Sequence, residues 1–275
     1  MNDGTTASFS LKEKVIVVTG GYGILGKSFC EAIAFAGGEV VILGRDEQKG
    51  QSAVKHIENL GGTAFFAQAD VLDEISLKEA KDSIMKRFGK INGLVNAAGG
   101  NVPEAVLQPE ADIFSLNMNG MKKAMDLNVW GTLLPTQIFG EAFIHQSSGS
   151  IVNISSVSTV RPLTKVLGYS MAKAAIDAYT KWFAIEVANR HGDNIRVNAL
   201  VPGFFLTDQN RALLTQPDGS LTQRGQSIIK QTPFKRFGNP QELNGALVWL
   251  LSDASKFVTG TTVRVDGGFM SSSGV

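Results

Sequence analysis

Short runs of β-branched and other apolar residues alternate along this chain with longer stretches whose apolar positions recur at helical spacing. Lys14-Val15-Ile16-Val17-Val18-Thr19 reads as a first strand and runs through Gly20-Gly21-Tyr22-Gly23-Ile24-Leu25-Gly26 into a helical stretch from Lys27 to Ala36. Glu39 to Leu43 reads as a second strand. A helix with Ala53, Ile57 and Leu60 on its apolar face precedes a third, Ala64 to Ala67, which ends in Asp70-Val71. A charged amphipathic helix over about Ser76 to Phe88 leads to a fourth strand, Ile91 to Val95, which closes in Asn96-Ala97-Ala98-Gly99-Gly100.

The second half repeats the alternation after an irregular polar stretch, Asn101 to Asn119. A helix is expected from about Gly120 to Gln146, with Asn128 buried inside it and Pro135 kinking it. Ser150 to Ile154 is a fifth strand, ending in Ser155-Ser156 and a loop through Arg161, Pro162 and Lys165. A helix beginning near Tyr169 follows. Ile195 to Val201 and Thr262 to Val265 are the sixth and seventh strands, and between them about 204–236 forms a loop-rich insertion suited to closing over a substrate. Repeated strand and helix predict an α/β fold: one Rossmann-type, doubly wound parallel sheet of about seven strands, helices on both faces, in a single domain over 1–275.

Composition narrows the class. With 275 residues and 43% hydrophobic content the chain can bury a large core. A net charge of +1 leaves no electrostatic footprint for nucleic acid or an anionic membrane. Residues Met1 to Ser10 lack a basic-then-apolar signal pattern, no apolar run is long enough for a membrane span, and the single Cys30 suits a reducing compartment, so a cytoplasmic protein is expected.

The candidate chemistry lies at the carboxyl ends of the strands, where ligands bind in such sheets. The glycines of the first turn let the backbone approach a pyrophosphate that faces a helix N-terminus. At the end of the second strand, Gly44 leaves room and Arg45 can pair with a 2′-phosphate, which favours NADP, while Asp46 keeps NAD open. Tyr169 and Lys173, four apart on one helix, place a phenol beside an ammonium, and a neighbouring positive charge favours the phenolate. Tyr169 is therefore a candidate general acid/base. Ser156, at a strand end, has a hydroxyl able to polarise a carbonyl.

Together, Asn128, Ser156 thirteen residues before Tyr169, Lys173 four after it, Asn96-Ala97-Ala98-Gly99 and Pro202-Gly203-x-x-x-Thr207 resemble the short-chain dehydrogenase/reductase family over nearly the whole chain, from about Leu11 to Gly268. The resemblance implies that Tyr169 is the acid/base, that Ser156 positions the substrate oxygen and that Lys173 holds the nicotinamide ribose while lowering the tyrosine pKa. Asn128 would anchor a water in the proton relay. It also implies a cofactor site of Gly20, Gly23, Leu25, Gly26, Arg45, Asp70, Val71, Asn96, Ala97, Ala98, Gly99, Tyr169, Lys173, Pro202, Gly203 and Thr207. His56, His145, His191 and Cys30 have no part in this scheme, and no metal is expected. One departure is Ile24 at the usual middle-glycine position, with glycine at Gly23 instead.

Within the family, this spacing resembles the D-mannonate oxidoreductase (fructuronate reductase) branch. So do Gln209-Asn210-Arg211, Pro217-Asp218-Gly219-Ser220 and the stretch from Val265 to Val275. That branch implies hydride transfer between NADP or NAD and a keto or secondary alcohol group of a sugar acid such as D-fructuronate or D-mannonate. Alternatives are the same chemistry on gluconate or a 3-oxoacyl thioester, or a nucleotide-binding protein without catalysis. A sugar acid needs a cation for its carboxylate, and the candidates are Arg161, Lys165 and Arg211, beside an apolar wall at Phe204 and Phe205. The helix after Tyr169 carries Tyr179, Trp182, Phe183 and Ile185, more apolar surface than one sheet face needs, and the resemblance implies a homotetramer.

Overall fold

A computed structural model describes residues 7–207, 211 and 213–273. Residues 1–6 of the polar start lie outside that description, as do Gln209, Asn210, Gly274 and Val275 of the branch pattern.

Seven parallel strands form one sheet in the order β3-β2-β1-β4-β5-β6-β7. They are β1 Val15–Thr19, β2 Glu39–Gly44, β3 Thr63–Gln68, β4 Gly93–Asn96, β5 Gly149–Ile154, β6 Ile195–Pro202 and β7 Thr262–Val265. β1 shows why the strands read as unbroken apolar runs. Ile16 and Val18 face one core and Val15 and Val17 the other, so every position of the strand is covered.

Helices α1 (Ile24–Phe35) and α2 (Glu47–Asn59) pack on the first face. They are joined there by α8 (Asn244–Leu251), which buries Leu247, Leu250 and Leu251. α3 (Glu74–Phe88), α5 (Gly131–His145) and α6 (Leu167–His191) cover the second face through Leu77, Ile84, Phe139, Phe143, Ala184 and Val187. α4 (Met118–Met125) and α7 (Gln223–Gln231) lie in the two long connections. The strand order reverses between β1 and β4, and the registers Thr19 to Asn96 and Asn96 to Asn153 align their carboxyl ends along one edge. A crevice at such a switch point is where this architecture binds ligands.

Two expectations about helices are corrected. The stretch from Gly120 to Gln146 is interrupted, and the interruption precedes Pro135, which sits inside α5. The break is a π-helical turn, Asp126–Trp130, between α4 and α5. Asn128 occupies this turn, fully buried, with its Nδ2 donating to Ala124 O and to Gly100 O, both at 2.9 Å. A widened turn that serves a buried polar side chain is a common origin of a helix break at a functional edge. Leu60, expected on the apolar face of α2, is its C-cap and is 44% exposed.

Candidate active site

The glycine turn begins at Gly20, whose φ of +64° is open to glycine and strained for other residues. A Cβ at Gly26 would lie 2.2 Å from Gly20 O, so close helix-to-turn packing needs glycine there too. Gly23 is the N-cap of α1, and Ile24 is the first helical residue. Shifting the glycine by one position thus leaves the helix start and its unpaired N–H groups facing the cleft. The Thr19 hydroxyl accepts from Ala97 N and Ala98 N, both at 3.0 Å, and so holds the end of β4 against the glycine turn.

Around this turn lies a cavity of about 440 Å³, bordered by Gly20, Leu25, Arg45, Asp70, Ala98 and Thr207 among others. Gly23, Gly26, Val71, Ala97 and Gly99 also face it. Its length along the strand ends, its glycine floor and the N-terminus of α1 fit a dinucleotide. Asn96 does not border it. Its side chain is buried and turned inward, its Nδ2 donating to Thr136 Oγ1 at 2.9 Å and to Asn153 Oδ1 at 2.8 Å, so its role in the fold is to tie β4 to β5 and α5.

The space expected in front of Gly44 is filled by Tyr22. A Cβ at Gly44 would meet the Tyr22 ring at 2.4 Å, and the Tyr22 hydroxyl accepts from Arg45 N at 3.0 Å and Asp46 N at 3.2 Å. Arg45 itself turns its guanidinium towards Asp70, 3.5 Å away. Asp46 caps α2 by accepting from Lys49 N, which holds its carboxyl below the usual range.

A second cavity, of about 160 Å³, continues from the first through Leu25 and Thr207 and contains Ser156 and Tyr169. Pro202, Gly203 and Phe204 form its wall at the end of β6. Asn101 also borders it, and its buried Oδ1 lacks a hydrogen-bond partner. Ser156 extends from β5 and accepts from Ser158 N at 3.1 Å.

Tyr169 and Lys173 are both in α6, but their electrostatics differ from the expectation. Burial pushes the Tyr169 phenol above its ordinary value, and hydrogen bonding with the Ser156 hydroxyl pulls it partly back. Lys173 is buried, its ammonium donates to Ile154 O at 2.7 Å, and burial lowers its pKa to about 8. A desolvated, backbone-bound ammonium does not offset the phenol's own desolvation.

The three expected substrate cations lie elsewhere. Arg161 donates from Nη1 to Phe269 O at 2.9 Å and from Nη2 to Ser272 O, and stacks over the Phe269 ring. Lys165, at φ +75°, and Arg211 are exposed and border neither cavity. Sequence reasoning missed Arg224, which does border the second cavity. The only signal for it was its place in the 204–236 insertion. Tyr22 was also missed, because an aromatic inside a glycine turn carries no pattern of its own.

Comparison with known proteins agrees with this geometry. The family profile described as enoyl-(acyl carrier protein) reductase matches residues 23–270. An uncharacterised oxidoreductase of Bacillus subtilis (strain 168), UxuB, is 44% identical over 275 residues, covering 97% of this chain and 98% of the relative. A Haemophilus influenza protein provisionally named D-mannonate oxidoreductase, solved with bound NAD, is 36% identical with a TM-score of 0.90 over 99% of this chain and 100% of that one. A gluconate 5-dehydrogenase from Burkholderia cenocepacia J2315, solved with NADP and tartrate, is 31% identical with a TM-score of 0.85 over 97% and 99%.

Fold, cleft and relatives define an oxidoreductase that works with a nicotinamide cofactor on CH–OH groups. The chain belongs to the short-chain dehydrogenase/reductase family.

Proposed function

We propose that this enzyme interconverts the secondary alcohol and ketone of a sugar acid, with D-mannonate and D-fructuronate as the pair to test first. The observation that carries the reading is the placement of Ser156 and Tyr169 in one small cavity continuous with the nucleotide-sized cleft. At about 160 Å³ that cavity is below the roughly 300 Å³ where drug-sized pockets begin, which suits a short substrate. Asn101, a polar side chain on the cavity lining, suits a ligand with hydroxyl groups. The D-mannonate and gluconate assignments of two structural relatives support the same class.

The glycine turn and α1 would hold the pyrophosphate, Asp70 and Val71 the adenosine half, and Ala97 to Gly99 with Pro202, Gly203 and Thr207 the nicotinamide half. When bound, the nicotinamide supplies hydride chemistry. The Ser156 hydroxyl would donate to the substrate oxygen, and the Tyr169 phenol would give its proton to that oxygen in reduction and recover it in oxidation. A phenol raised by burial stays protonated at neutral pH, the form that reduction needs. Lys173 would tie α6 to the end of β5 through Ile154 O, and its remaining N–H donors would be available to the ribose. Asn128 would hold the Gly99–Gly100 turn, where a Cβ on Gly99 would meet its Oδ1 at 2.7 Å.

NAD is proposed as the preferred cofactor, since Tyr22 fills the room that a 2′-phosphate needs. We also propose a homotetramer, supported by Trp182 and Ile185 of α6, each 61% exposed; light scattering after size exclusion tests it. Turnover of a panel of aldonates and uronates with each cofactor, followed by nicotinamide absorbance, tests the function, and no reaction with any of them would reject the sugar-acid assignment.

A further inference from the structure

Among the described residues that border the catalytic cavity, Arg224 is the one charged side chain. It is the second residue of α7, whose start is fixed by Thr222 Oγ1 accepting from Gly225 N at 3.1 Å. Its guanidinium donates from Nη1 to Thr164 Oγ1 at 3.1 Å and from Nη2 to Thr164 O at 3.4 Å. Neither partner carries charge. The ion pairs of the described residues give Arg224 no carboxylate, whereas Arg45, Arg190 and Arg236 each have one. Phe204, Leu213 and Leu214 share the cavity wall with it.

A half-buried cation without a counter-ion, on an apolar wall, is costly in the protein alone. Burial does lower the Arg224 pKa, but a guanidinium starts so high that it stays charged. The cost is recovered when an anion enters. With two neutral acceptors taking one hydrogen bond from each terminal nitrogen, further N–H donors of the fork stay available for a planar, bidentate partner. The cavity's small volume favours a carboxylate on a short chain.

We infer that Arg224 is the receptor for the substrate's carboxylate, holding the acid end of a hydroxy acid against α7 while Ser156 and Tyr169 meet the reacting oxygen. The inference rests on the sugar-acid reading above and adds the group that selects it. Through Thr164, the same side chain joins the 204–236 insertion to the loop that follows Ser156, so an arriving acid also bridges these two segments.

The test is binding by titration calorimetry to the protein saturated with reduced cofactor, a pairing with an alcohol that cannot react. The probes are D-mannonate, D-gluconate and D-galactonate, with D-mannitol and D-sorbitol as neutral partners. The wild type is expected to bind at least one acid more than about 10-fold tighter than the neutral alcohols. Arg224→Met should lose about 10- to 100-fold on that acid and nothing on the alcohols, Arg224→Lys should fall between, and reduced-cofactor affinity should stay unchanged. Thr164→Val, which removes the hydroxyl acceptor, should keep the preference for acids.

Equal binding of the acid by wild type and Arg224→Met overturns the inference. So does a wild type that binds no acid in the set, or a loss in Thr164→Val as large as in Arg224→Met, which would make Arg224 a structural latch. Turnover of a sugar acid with an unchanged KM in Arg224→Met sinks this inference and leaves the proposed function standing. Acid binding that depends on Arg224, with no turnover of any acid, sinks the proposed function and leaves the anion site standing.

Discussion

The Lys173 ammonium lies 5.6 Å from the centre of the Tyr169 ring and donates to Ile154 O, at the end of β5, at 2.7 Å. Lys173 therefore fastens the helix carrying the phenol to the strand that leads into Ser156, and Ser156 and Tyr169 are positioned by one buried cation. If the phenol is the proton donor, removing only its oxygen leaves that frame intact. Tyr169→Phe should lower kcat by roughly 10²–10⁴-fold while nucleotide affinity, read by quenching of protein fluorescence, changes little. Turnover within a few-fold of wild type would mean that another group moves the proton.

The proposed preference for NAD rests on Tyr22. Its ring covers Gly44, and its hydroxyl occupies the N–H groups of Arg45 and Asp46 that could otherwise meet a phosphate. Wild type should bind NADH more tightly than NADPH. Tyr22→Ala should open the space, free both N–H groups and let Arg45 leave Asp70, narrowing or reversing that preference by about 10-fold or more. Paired titrations with the two reduced cofactors decide the matter. An unchanged ratio in the variant would show that the adenosine end is read elsewhere.

The strands were legible because both sheet faces are covered, which leaves each strand as an unbroken apolar run flanked by turn residues. β7 matches its expected bounds, and most other strand bounds shift by one residue or two at an end. α8 was not legible: Gly245 to Leu251 is apolar nearly all round, because it packs against both α1 and the sheet and so has no polar stripe to set a period. At the site, spacing along one helix gave Tyr169 and Lys173, and strand-end position gave Ser156. Spacing could not show where an ammonium points, so Lys173 facing Ile154 O and the upward push on the Tyr169 phenol came only with the tertiary structure. The candidate cations could not be ranked by position for a similar reason. Charged residues in loops look alike in sequence, and only packing separates Arg161, bound to Phe269 O, from Arg224.

Lys173 also makes a prediction about stability. Its pKa falls from 10.5 to about 8 on burial, so in the unfolded chain the proton is held up to about 10.5 while the folded chain releases it near 8. Between those values the unfolded state binds more protons, and stability rises with pH; below about 8 both states are protonated and the penalty is constant. Lys173→Met lacks this titration. The stability of wild type minus that of Lys173→Met, measured by denaturant unfolding at pH 7, 9 and 10, should therefore climb by up to ~3 kcal/mol across the series. A flat difference would place the ammonium in a better solvated setting than the one described.

Asn128 separates support from chemistry. It is fully buried, donates to Gly100 O and Ala124 O and accepts from Gly100 N, each at 2.9 Å, while Thr132 Oγ1 donates to its own carbonyl at 2.9 Å. Asn128→Ala strands a backbone N–H and two carbonyls in the interior, and each stranded group costs about 1–3 kcal/mol, so the variant should unfold at markedly lower denaturant. Asn128→Asp is the sharper probe. Its carboxylate still accepts from Gly100 N but faces the Gly100 and Ala124 carbonyls without a donor, so it should also be destabilised and should become more stable as the pH is lowered and the acid regains a proton. If the main task of Asn128 is to hold the Gly99–Gly100 turn, nucleotide affinity in both variants should fall together with stability. Asn128→Ala with wild-type unfolding and wild-type nucleotide affinity but lost turnover would instead assign Asn128 to the proton path, and would remove the structural account of the π turn.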